Sequence, residues 1–294
     1  MTSSGKVAVV GGGIMGSGIA QIAAAAGHPT SLRDLESSAL DSARAAVEKS
    51  LVRLVKAGKN TEDEAAATLD RLTFTTEVAE AVDGAQVVVE AVPERLDLKH
   101  RVFTEVLEYA PAGVLLGTNT SQLSITSIAA PLGAAAQRLI GMHFFNPPVM
   151  MRLIELVRGL ATSDDTLDRA RVFASGLGKQ VVVCQKDSPG FLTSRVSAIL
   201  RLECLRMLEE GLASAQDIDT AVKLAFNHPM GPLELGDFNG LDTYLDAVNG
   251  LAAAHGERFR PTVGLRNMVA AGQLGRKSGQ GFYSYDANGT RVEE

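Results

Sequence analysis

The sequence predicts an α/β protein in which a mostly parallel sheet with helices on both faces is followed by an all-α domain. Two observations carry this prediction. Up to residue 184, short apolar runs alternate with longer helical stretches, which is typical of a parallel sheet with crossover helices. After that residue only helical patterns follow, so the last third of the chain is expected to contain no sheet.

Seven runs have the character of buried strands. Each is short, rich in aliphatic residues and bounded by Gly, Pro or charged residues. Their apolarity is continuous rather than alternating, which predicts strands covered on both faces. The runs are residues 7–10, 29–33, 87–92, 114–118, 139–144, 153–157 and 181–184.

The helical stretches follow with their own start and stop signals. The first domain is expected to contain helices over residues 14–26 and 37–59, and another from Thr61. The run Asp187-Ser188-Pro189-Gly190 combines a capping residue with a proline suited to a first helical turn, which predicts a domain boundary. We therefore expect domains over residues 1–186 and 187–294, the second with helices at 191–210, from Ser214, at 233–254 and at 263–271.

Composition narrows the class of protein. The 294 residues carry a net charge of −6, which argues against nucleic acid or an anionic membrane as the main partner. The two cysteines have no neighbouring Cys or His cluster, so neither a disulfide framework nor a metal site is expected. No apolar run is long enough to span a bilayer, and neither terminus carries a targeting signal, so we expect a cytoplasmic protein.

A glycine-rich loop at residues 11–16 predicts a dinucleotide site. It lies between the first predicted strand and the first predicted helix. In this position the short glycine pattern indicates dinucleotide binding. Gly11 permits the tight turn, Gly13 admits a pyrophosphate, and Gly16 allows close helix packing, with Ile14 and Met15 between them. The first domain is therefore expected to be of the Rossmann type.

Asp34 at the end of the second strand indicates which dinucleotide binds. It lies about 20 residues beyond the glycines, where a carboxylate accepts hydrogen bonds from the adenosine ribose and repels a 2′-phosphate. We therefore predict NAD. Arg33 keeps NADP open, because a basic residue there could accept that phosphate. FAD and a purely structural glycine turn are the remaining alternatives.

A histidine and a carboxylate suggest proton transfer. His143 lies near the end of a predicted parallel strand, where side chains face the ligand crevice, and imidazole suits acid–base work at neutral pH. Glu155 interrupts the next apolar run and needs a partner. An imidazole N–H would be such a partner, although His143 could be a core residue and Glu155 could pair with Arg152.

At this point the sequence resembles the 3-hydroxyacyl-CoA dehydrogenase family. The matching segments occur in the family's order over nearly the whole chain. They are GGGIMGSGIAQ (11–21), VEAVPE (89–94) with Lys99, NTS (119–121), GMHFFNPP (141–148) with Glu155, DSPGF (187–191), HPMGP (228–232), GLDT (240–243) and LGRKSGQGFY (274–283).

The resemblance implies roles for individual residues. It makes His143 the general base, Glu155 its orienting carboxylate and Ser121 a hydrogen-bond partner of the substrate oxygen. It places a further set on the nicotinamide side of the cofactor site: Glu94, Lys99, Asn119, Asn146 and Lys277. It also suggests that Ser50 and Lys56 lie near the CoA moiety.

The implied reaction is NAD-dependent oxidation of a short-chain 3-hydroxyacyl-CoA to the 3-oxoacyl-CoA, or its reverse, in fatty acid metabolism. One departure concerns Ser194, which stands where the family's active site has an Asn that helps to hold the substrate. This keeps open a free β-hydroxy acid substrate, as in relatives that act on carnitine or L-gulonate. A non-catalytic NAD-binding protein, as among lens crystallins, is a further alternative.

A homodimer is expected from the helical domain. The predicted helix at 191–210 is too apolar for a solitary surface helix. The same apolarity would also suit a helix buried at the centre of its own domain, and both can hold together.

Overall fold

The computed structural model describes residues 5–292. The expectation that neither terminus carries a targeting signal concerns mostly residues outside this range. The chain divides between Ser188 and Pro189 into two compact units, called here the first and second units. Within residues 5–292, no helix combines the length and apolarity needed to cross a membrane.

The described residues of the first unit contain one eight-stranded sheet with the order β3-β2-β1-β4-β5-β6-β7-β8. Neighbouring strands are parallel except for β6 and β7, which are antiparallel. The mostly parallel sheet predicted from the sequence is thus confirmed. The strands are β1 (Lys6–Val10), β2 (Thr30–Arg33), β3 (Leu72–Thr75), β4 (Ala85–Glu90), β5 (Leu115–Thr118), β6 (Leu139–Phe144), β7 (Leu153–Val157) and β8 (Gln180–Cys184).

Seven α-helices accompany this sheet and five follow it among the described residues. Those of the first unit are α1 (Ile14–Ala25), α2 (Ser37–Lys56), α3 (Glu62–Asp70), α4 (Val78–Val82), α5 (Leu96–Tyr109), α6 (Ile125–Ala129) and α7 (Asp164–Gly176). Those of the second unit are α8 (Thr193–Glu209), α9 (Ala215–Ala225), α10 (Pro232–Asn239), α11 (Leu241–His255) and α12 (Val263–Ala270).

The continuous helix expected at residues 233–254 is wrong. The structure has α10 and α11 there, separated by Gly240 at φ +95°. That left-handed backbone is accessible to glycine and ends the first helix. The apolar spacing continues across the break because both helices contribute to the same core, through residues such as Leu233 and Leu241.

Close packing of α1 on the sheet depends on Gly16. A Cβ atom at this position would collide with the carbonyl oxygen of Gly11. The helix can therefore approach the glycine turn only because residue 16 lacks a side chain. Ile19, Ala20 and Ala23 of α1 are then completely buried in the core of the first unit.

Two buried carboxylates fasten the C-terminal segment of the second unit. Asp219 of α9 accepts hydrogen bonds from the Leu233 amide at 2.8 Å and the Tyr283 hydroxyl at 2.8 Å. Asp237 of α10 is fully buried and accepts from the Tyr283 amide at 2.9 Å and the Tyr285 hydroxyl at 3.2 Å. Burial raises the pKa of Asp237, while the N–H donors of residues 282 and 283 oppose that rise. Residues near 283 are thus part of the unit's interior.

Candidate active site

The carboxyl ends of β1, β2, β4, β5 and β6 lie at one edge of the sheet because these strands are parallel. The chain order reverses between β1 and β4, the switch point at which open α/β sheets bind ligands. The loops that leave these strands carry most of the residues predicted for the cofactor and for catalysis. The sheet therefore gathers them at one edge.

The glycine loop fits a dinucleotide pyrophosphate. Gly11 has φ +112°, and a Cβ there would lie 2.6 Å from the carbonyl oxygen of Ala91. A Cβ on Gly13 would meet nothing within 4 Å, so the backbone is open to a ligand at this point. Gly13 is also the N-cap of α1 and no side chain caps this end, which leaves the first-turn N–H groups to an anion.

Asp34 and Arg33 at the end of β2 differ in what they can offer a cofactor. Asp34 Oδ2 accepts a 2.6 Å hydrogen bond from the Gly12 amide, so the carboxylate is held beside the glycine loop. Arg33 Nε donates to the carbonyl of Thr76 at 3.1 Å, and its Nη2 lies 3.8 Å from Glu105. The guanidinium is therefore already engaged within the protein, which favours NAD over NADP.

A cleft of about 810 Å³ lies beside the glycine loop, within the size range of small-molecule sites. Its walls come from the glycine loop, the end of β2, the inner face of α2 and the segment after β4. Residues from these walls include Ile14, Met15, Asp34, Ala39, Ala43, Ala46, Ala91 and Pro93.

His143 and Glu155 form a hydrogen-bonded pair. They face each other across the antiparallel β6–β7 pair, and His143 Nδ1 lies 2.7 Å from Glu155 Oε2. Glu155 is fully buried and His143 is nearly so. Adjacent antiparallel strands hold both backbones, so the imidazole is fixed relative to the carboxylate. The competing pairing of Glu155 with Arg152 is not found among the described contacts.

Asn119 connects the loop after β5 to the strand of His143. Its Oδ1 accepts a 2.9 Å hydrogen bond from the amide of Phe144, the residue that follows His143. Its own amide donates to the Glu90 carbonyl at 2.8 Å. Asn119 thus ties the ends of β4, β5 and β6 together.

Glu94 organises the loop that carries Ser121. Its Oε1 accepts hydrogen bonds from the Thr120 hydroxyl at 2.5 Å and from the Ser121 and Gln122 amides at 3.0 Å. Burial disfavours the charged carboxylate, but the Lys99 ammonium and these donors outweigh it and lower the pKa of Glu94. A charged Glu94 therefore fixes the backbone at Ser121.

Lys99 lies in a buried ion pair beneath this loop. Its Nζ is 2.7 Å from Glu90 Oε1 and 3.4 Å from Glu94 Oε2, and the Lys99 and Glu90 side chains are 1% and 0% exposed. Glu90 Oε2 also accepts from the Thr118 hydroxyl at 2.6 Å. Burial raises the pKa of Glu90, although Lys99 and the hydrogen bonds oppose that rise. The structure therefore shows Lys99 bound to two carboxylates.

The remaining predicted residues are more dispersed. Asn146 is exposed, just beyond β6, in a cis peptide bond with Pro147. Ser50 lies one turn beyond the α2 residues that line the cleft, whereas Lys56 is exposed in the last turn of that helix. The other two belong to the second unit: Lys277 Nζ contacts Asp242 Oδ2 at 2.6 Å, and Ser194 lies in the first turn of α8.

The sequence analysis assigned no role to Glu90, Thr118 or Thr120. Glu90 could have been found by the reasoning used for Glu155, because a carboxylate within an apolar run needs a partner. Thr118 and Thr120 gave no comparable signal. Their partners are 28 and 26 residues away in sequence, so only the fold brings them together.

Fold and site together define an NAD-binding oxidoreductase. Residues 6–188 match the family described as "3-hydroxyacyl-CoA dehydrogenase, NAD binding domain", and residues 190–285 match its C-terminal domain. The chain belongs to the 3-hydroxyacyl-CoA dehydrogenase family. The resemblance and the cofactor predicted from the sequence are thereby confirmed.

Individual relatives are similar over most of their length. A probable 3-hydroxybutyryl-CoA dehydrogenase of Deinococcus radiodurans is 42% identical, covering 95% of this chain and 100% of the relative. A probable 3-hydroxyacyl-CoA dehydrogenase of Caenorhabditis elegans is 41% identical, covering 95% and 92%. The crystal structure of (S)-3-hydroxybutyryl-CoA dehydrogenase PaaH1 from Ralstonia eutropha superposes with a TM-score of 0.92 at 41% identity, covering 97% and 100%.

Proposed function

We propose that this enzyme oxidises a short-chain 3-hydroxyacyl-CoA to the 3-oxoacyl-CoA, or catalyses the reverse, and that 3-hydroxybutyryl-CoA is a substrate. The observation that carries the proposal is the His143–Glu155 pair at the sheet edge that also bears the glycine loop. Relatives named for this activity support the choice of substrate.

In the proposed mechanism His143 is the general base. Its Nδ1 is bonded to Glu155, so Nε2 is assigned the proton of the substrate hydroxyl. Glu155 stabilises the imidazolium that forms and holds the ring in the required tautomer. Ser121, on the loop fixed by Glu94, is assigned a hydrogen bond to the reacting oxygen. In the reverse direction His143 returns the proton.

NAD, when bound, accepts the hydride from the hydroxyl-bearing carbon. In the proposal its pyrophosphate lies on Gly11, Gly13 and the first turn of α1, with Ile14 and Met15 along the cleft and Asp34 on the adenosine ribose. Glu94, Asn119 and Asn146 are assigned to the nicotinamide side. Lys99 acts there through Glu94, because its own ammonium is buried.

The second unit is assigned to substrate binding and dimerisation. In this proposal Lys277 contributes to the cofactor site and Ser194 takes the place of the family's Asn, while Ser50 and Lys56 of the first unit approach CoA. Ser194 is the residue that could alter substrate preference.

Asp34 provides a test of cofactor choice. The variant Asp34→Ser is expected to lower kcat/KM for NAD by about 10- to 100-fold, because a charged hydrogen-bond acceptor is lost. Its relative activity with NADP is expected to rise, since the charge that repels a 2′-phosphate is removed. Initial rates with both cofactors check this, with the exposed α2 carboxylate variant Asp41→Ser as the control. An unchanged preference for NAD would contradict the role of Asp34.

A substrate panel tests the reaction itself. Acetoacetyl-CoA supplied with NADH should be reduced, with loss of NADH absorbance, whereas the free β-hydroxy acids carnitine and L-gulonate supplied with NAD should produce no NADH. Turnover of only the free acids would overturn the proposed substrate class. NAD binding without turnover of any β-hydroxy compound would instead indicate a non-catalytic protein.

We also propose a homodimer. The second unit exposes large apolar side chains near the end of α9, with Leu224 74% and Phe226 64% exposed. Phe226→Glu is expected to shift the mass measured by light scattering from dimer to monomer, because burial of an unpaired carboxylate at an apolar interface has a high desolvation cost. Leu160→Glu, at an 89% exposed site of the first unit, is the matched control. A wild-type monomer would refute the dimer.

A cytoplasmic location is proposed as well. The sequence supports this, because its two cysteines have no neighbouring Cys or His cluster and the disulfide framework typical of many exported proteins is therefore not expected. Cell fractionation tests this directly. Recovery with exported proteins would contradict it.

A further inference from the structure

The loop that carries Ser121 runs from the end of β5 to the start of α6, over residues 119–124. Glu94 accepts hydrogen bonds from the first half of this loop, including one from the Ser121 amide at 3.0 Å. The second half leads to Ser124, which is the N-cap of α6. The position of Ser121 therefore depends on what holds Ser124 as well as on Glu94.

Asp187 holds this second half of the loop. Its Oδ2 accepts a hydrogen bond from the Ser124 hydroxyl at 2.6 Å and another from the Thr126 amide at 2.8 Å. Ser124 Oγ in turn accepts from the Ser127 amide at 3.1 Å. Because these bonds form one connected set, the Asp187 side chain fixes both the end of the loop and the first turn of α6.

These contacts differ from what the sequence predicts for Asp187. The run that begins at Asp187 predicts a capping residue for the next helix, but α8 begins only at Thr193 and has Leu192 as its N-cap. The Asp187 side chain instead contacts residues that lie 63 and 61 positions earlier in the sequence. Those hydrogen bonds lie entirely within the first unit.

One oxygen of Asp187 makes both contacts with the loop. The other, Oδ1, is buried and has no hydrogen-bond partner in the described part of the chain. The loop therefore requires a single acceptor at the place of Oδ2, and an amide oxygen there could accept from the same two donors.

We propose that Asp187 is a positioning residue for the reaction, which holds the start of α6 so that the Ser121 hydroxyl lies where it can bond the reacting oxygen. This inference rests on the proposed function, in which Ser121 contacts that oxygen. Glu94 and Asp187 hold the loop from its two ends, and only residues 122 and 123 separate Ser121 from Ser124. Loss of either contact therefore allows Ser121 to move. Asp187 itself is assigned no contact with substrate or cofactor.

A kinetic double-mutant cycle on the full-length enzyme tests this role. Asp187→Ala is expected to lower kcat with acetoacetyl-CoA by about 10- to 100-fold, because a misplacement of about 1 Å can have an effect of this size. The dissociation constant for NAD should change much less, since the glycine loop and Asp34 lie between β1 and α2. In a Ser121→Ala background the same substitution should have little further effect on kcat, because the hydroxyl that Asp187 positions is already absent.

Three further variants separate positioning from a loss of stability. Asp187→Asn keeps an acceptor and should recover most of the kcat lost in Asp187→Ala. Ser124→Ala removes one of the two hydrogen bonds to Asp187, so it should show the same dependence on Ser121, and it replaces Asp187→Ala in the cycle if that variant does not fold. Thr61→Ala removes the N-cap of α3, a helix with none of the predicted site residues, and should leave kcat unchanged.

Hydrogen exchange gives a readout that does not depend on activity. The amides of residues 121–126 should exchange faster in Asp187→Ala than in the wild type, because their segment has lost an anchor. Unchanged exchange there, or equal losses of kcat with and without the Ser121 hydroxyl, would overturn this role and leave the proposed function intact. Absence of turnover by the wild-type enzyme would overturn the proposed function and this role together.

Discussion

Replacing His143 by Gln is expected to lower kcat by about 100- to 10,000-fold, the range attributed to a positioned general base. Glutamine retains hydrogen-bonding groups but cannot take up the hydroxyl proton. The dissociation constant for NAD should hardly change, because the glycine loop and Asp34 belong to β1 and β2 rather than to β6. Stopped-flow measurement of NADH formation and a fluorescence titration with NAD separate the two quantities.

The control is His100→Gln, which removes a ring hydrogen-bonded to the carbonyl of Ser127. Its kcat should remain close to that of the wild type. Glu155→Gln should also lower kcat, because the imidazolium loses its buried counter-charge at 2.7 Å. A fully active His143→Gln enzyme would eliminate His143 as the base and with it the proposed mechanism.

Removal of the buried cation at Lys99 is expected to have the largest effect on stability. Lys99→Met should lower the free energy of unfolding by about 3–5 kcal/mol, the cost of leaving one partner of a buried ion pair uncompensated. Of the two carboxylates left behind, the Glu90 side chain is 0% exposed, whereas that of Glu94 is 34% exposed. Denaturant unfolding at neutral pH measures this loss. A loss below about 1 kcal/mol would contradict it.

The free energy of unfolding of Lys99→Met should also depend more strongly on pH than that of the wild type. Burial already raises the pKa of Glu90 above its ordinary value of 4.5, and Lys99 limits that rise. Without Lys99 the folded protein retains a proton on Glu90 that the unfolded chain releases. The contribution of Glu90 to stability should therefore be fully present below pH 4.5 and be lost as the pH rises through the raised pKa of the folded state.

A double variant tests whether the effect arises from the charge. Glu90→Gln combined with Lys99→Met removes both members of the pair and leaves groups of similar volume. It should recover most of the stability lost in Lys99→Met, and its unfolding should lose the added pH dependence. Failure to recover would assign the loss to packing of the Lys99 side chain instead.

The sequence could predict features whose signals are local. The glycine loop, the seven apolar strands and the pairing of His143 with Glu155 all depend on neighbouring segments. The missed strand β3 illustrates the limit. Its sequence LTFT alternates, with Leu72 buried and Thr73 exposed, so it lacks the continuous apolarity of the other strands. Only its pairing with β2 identifies it.

The support of the site could not be predicted for the same reason. Glu94 contacts the loop at residues 120–123 because β4 and β5 are neighbours in the sheet, which no local pattern encodes. The ion pairs of Lys99 could not be predicted for a related reason. A lysine on a helix is usually solvated, and only the fold shows that this one is enclosed between Glu90 and Glu94.

The hydrogen bonds from the segment around residue 283 to Asp219 and Asp237 affect when the second unit can fold during translation. All eight strands of the first unit precede residue 185, so that unit can fold while the rest is still being translated. The second unit instead needs Tyr283 and Tyr285 as donors to carboxylates buried in α9 and α10. Its folding is therefore expected to wait until Tyr285 has left the ribosome.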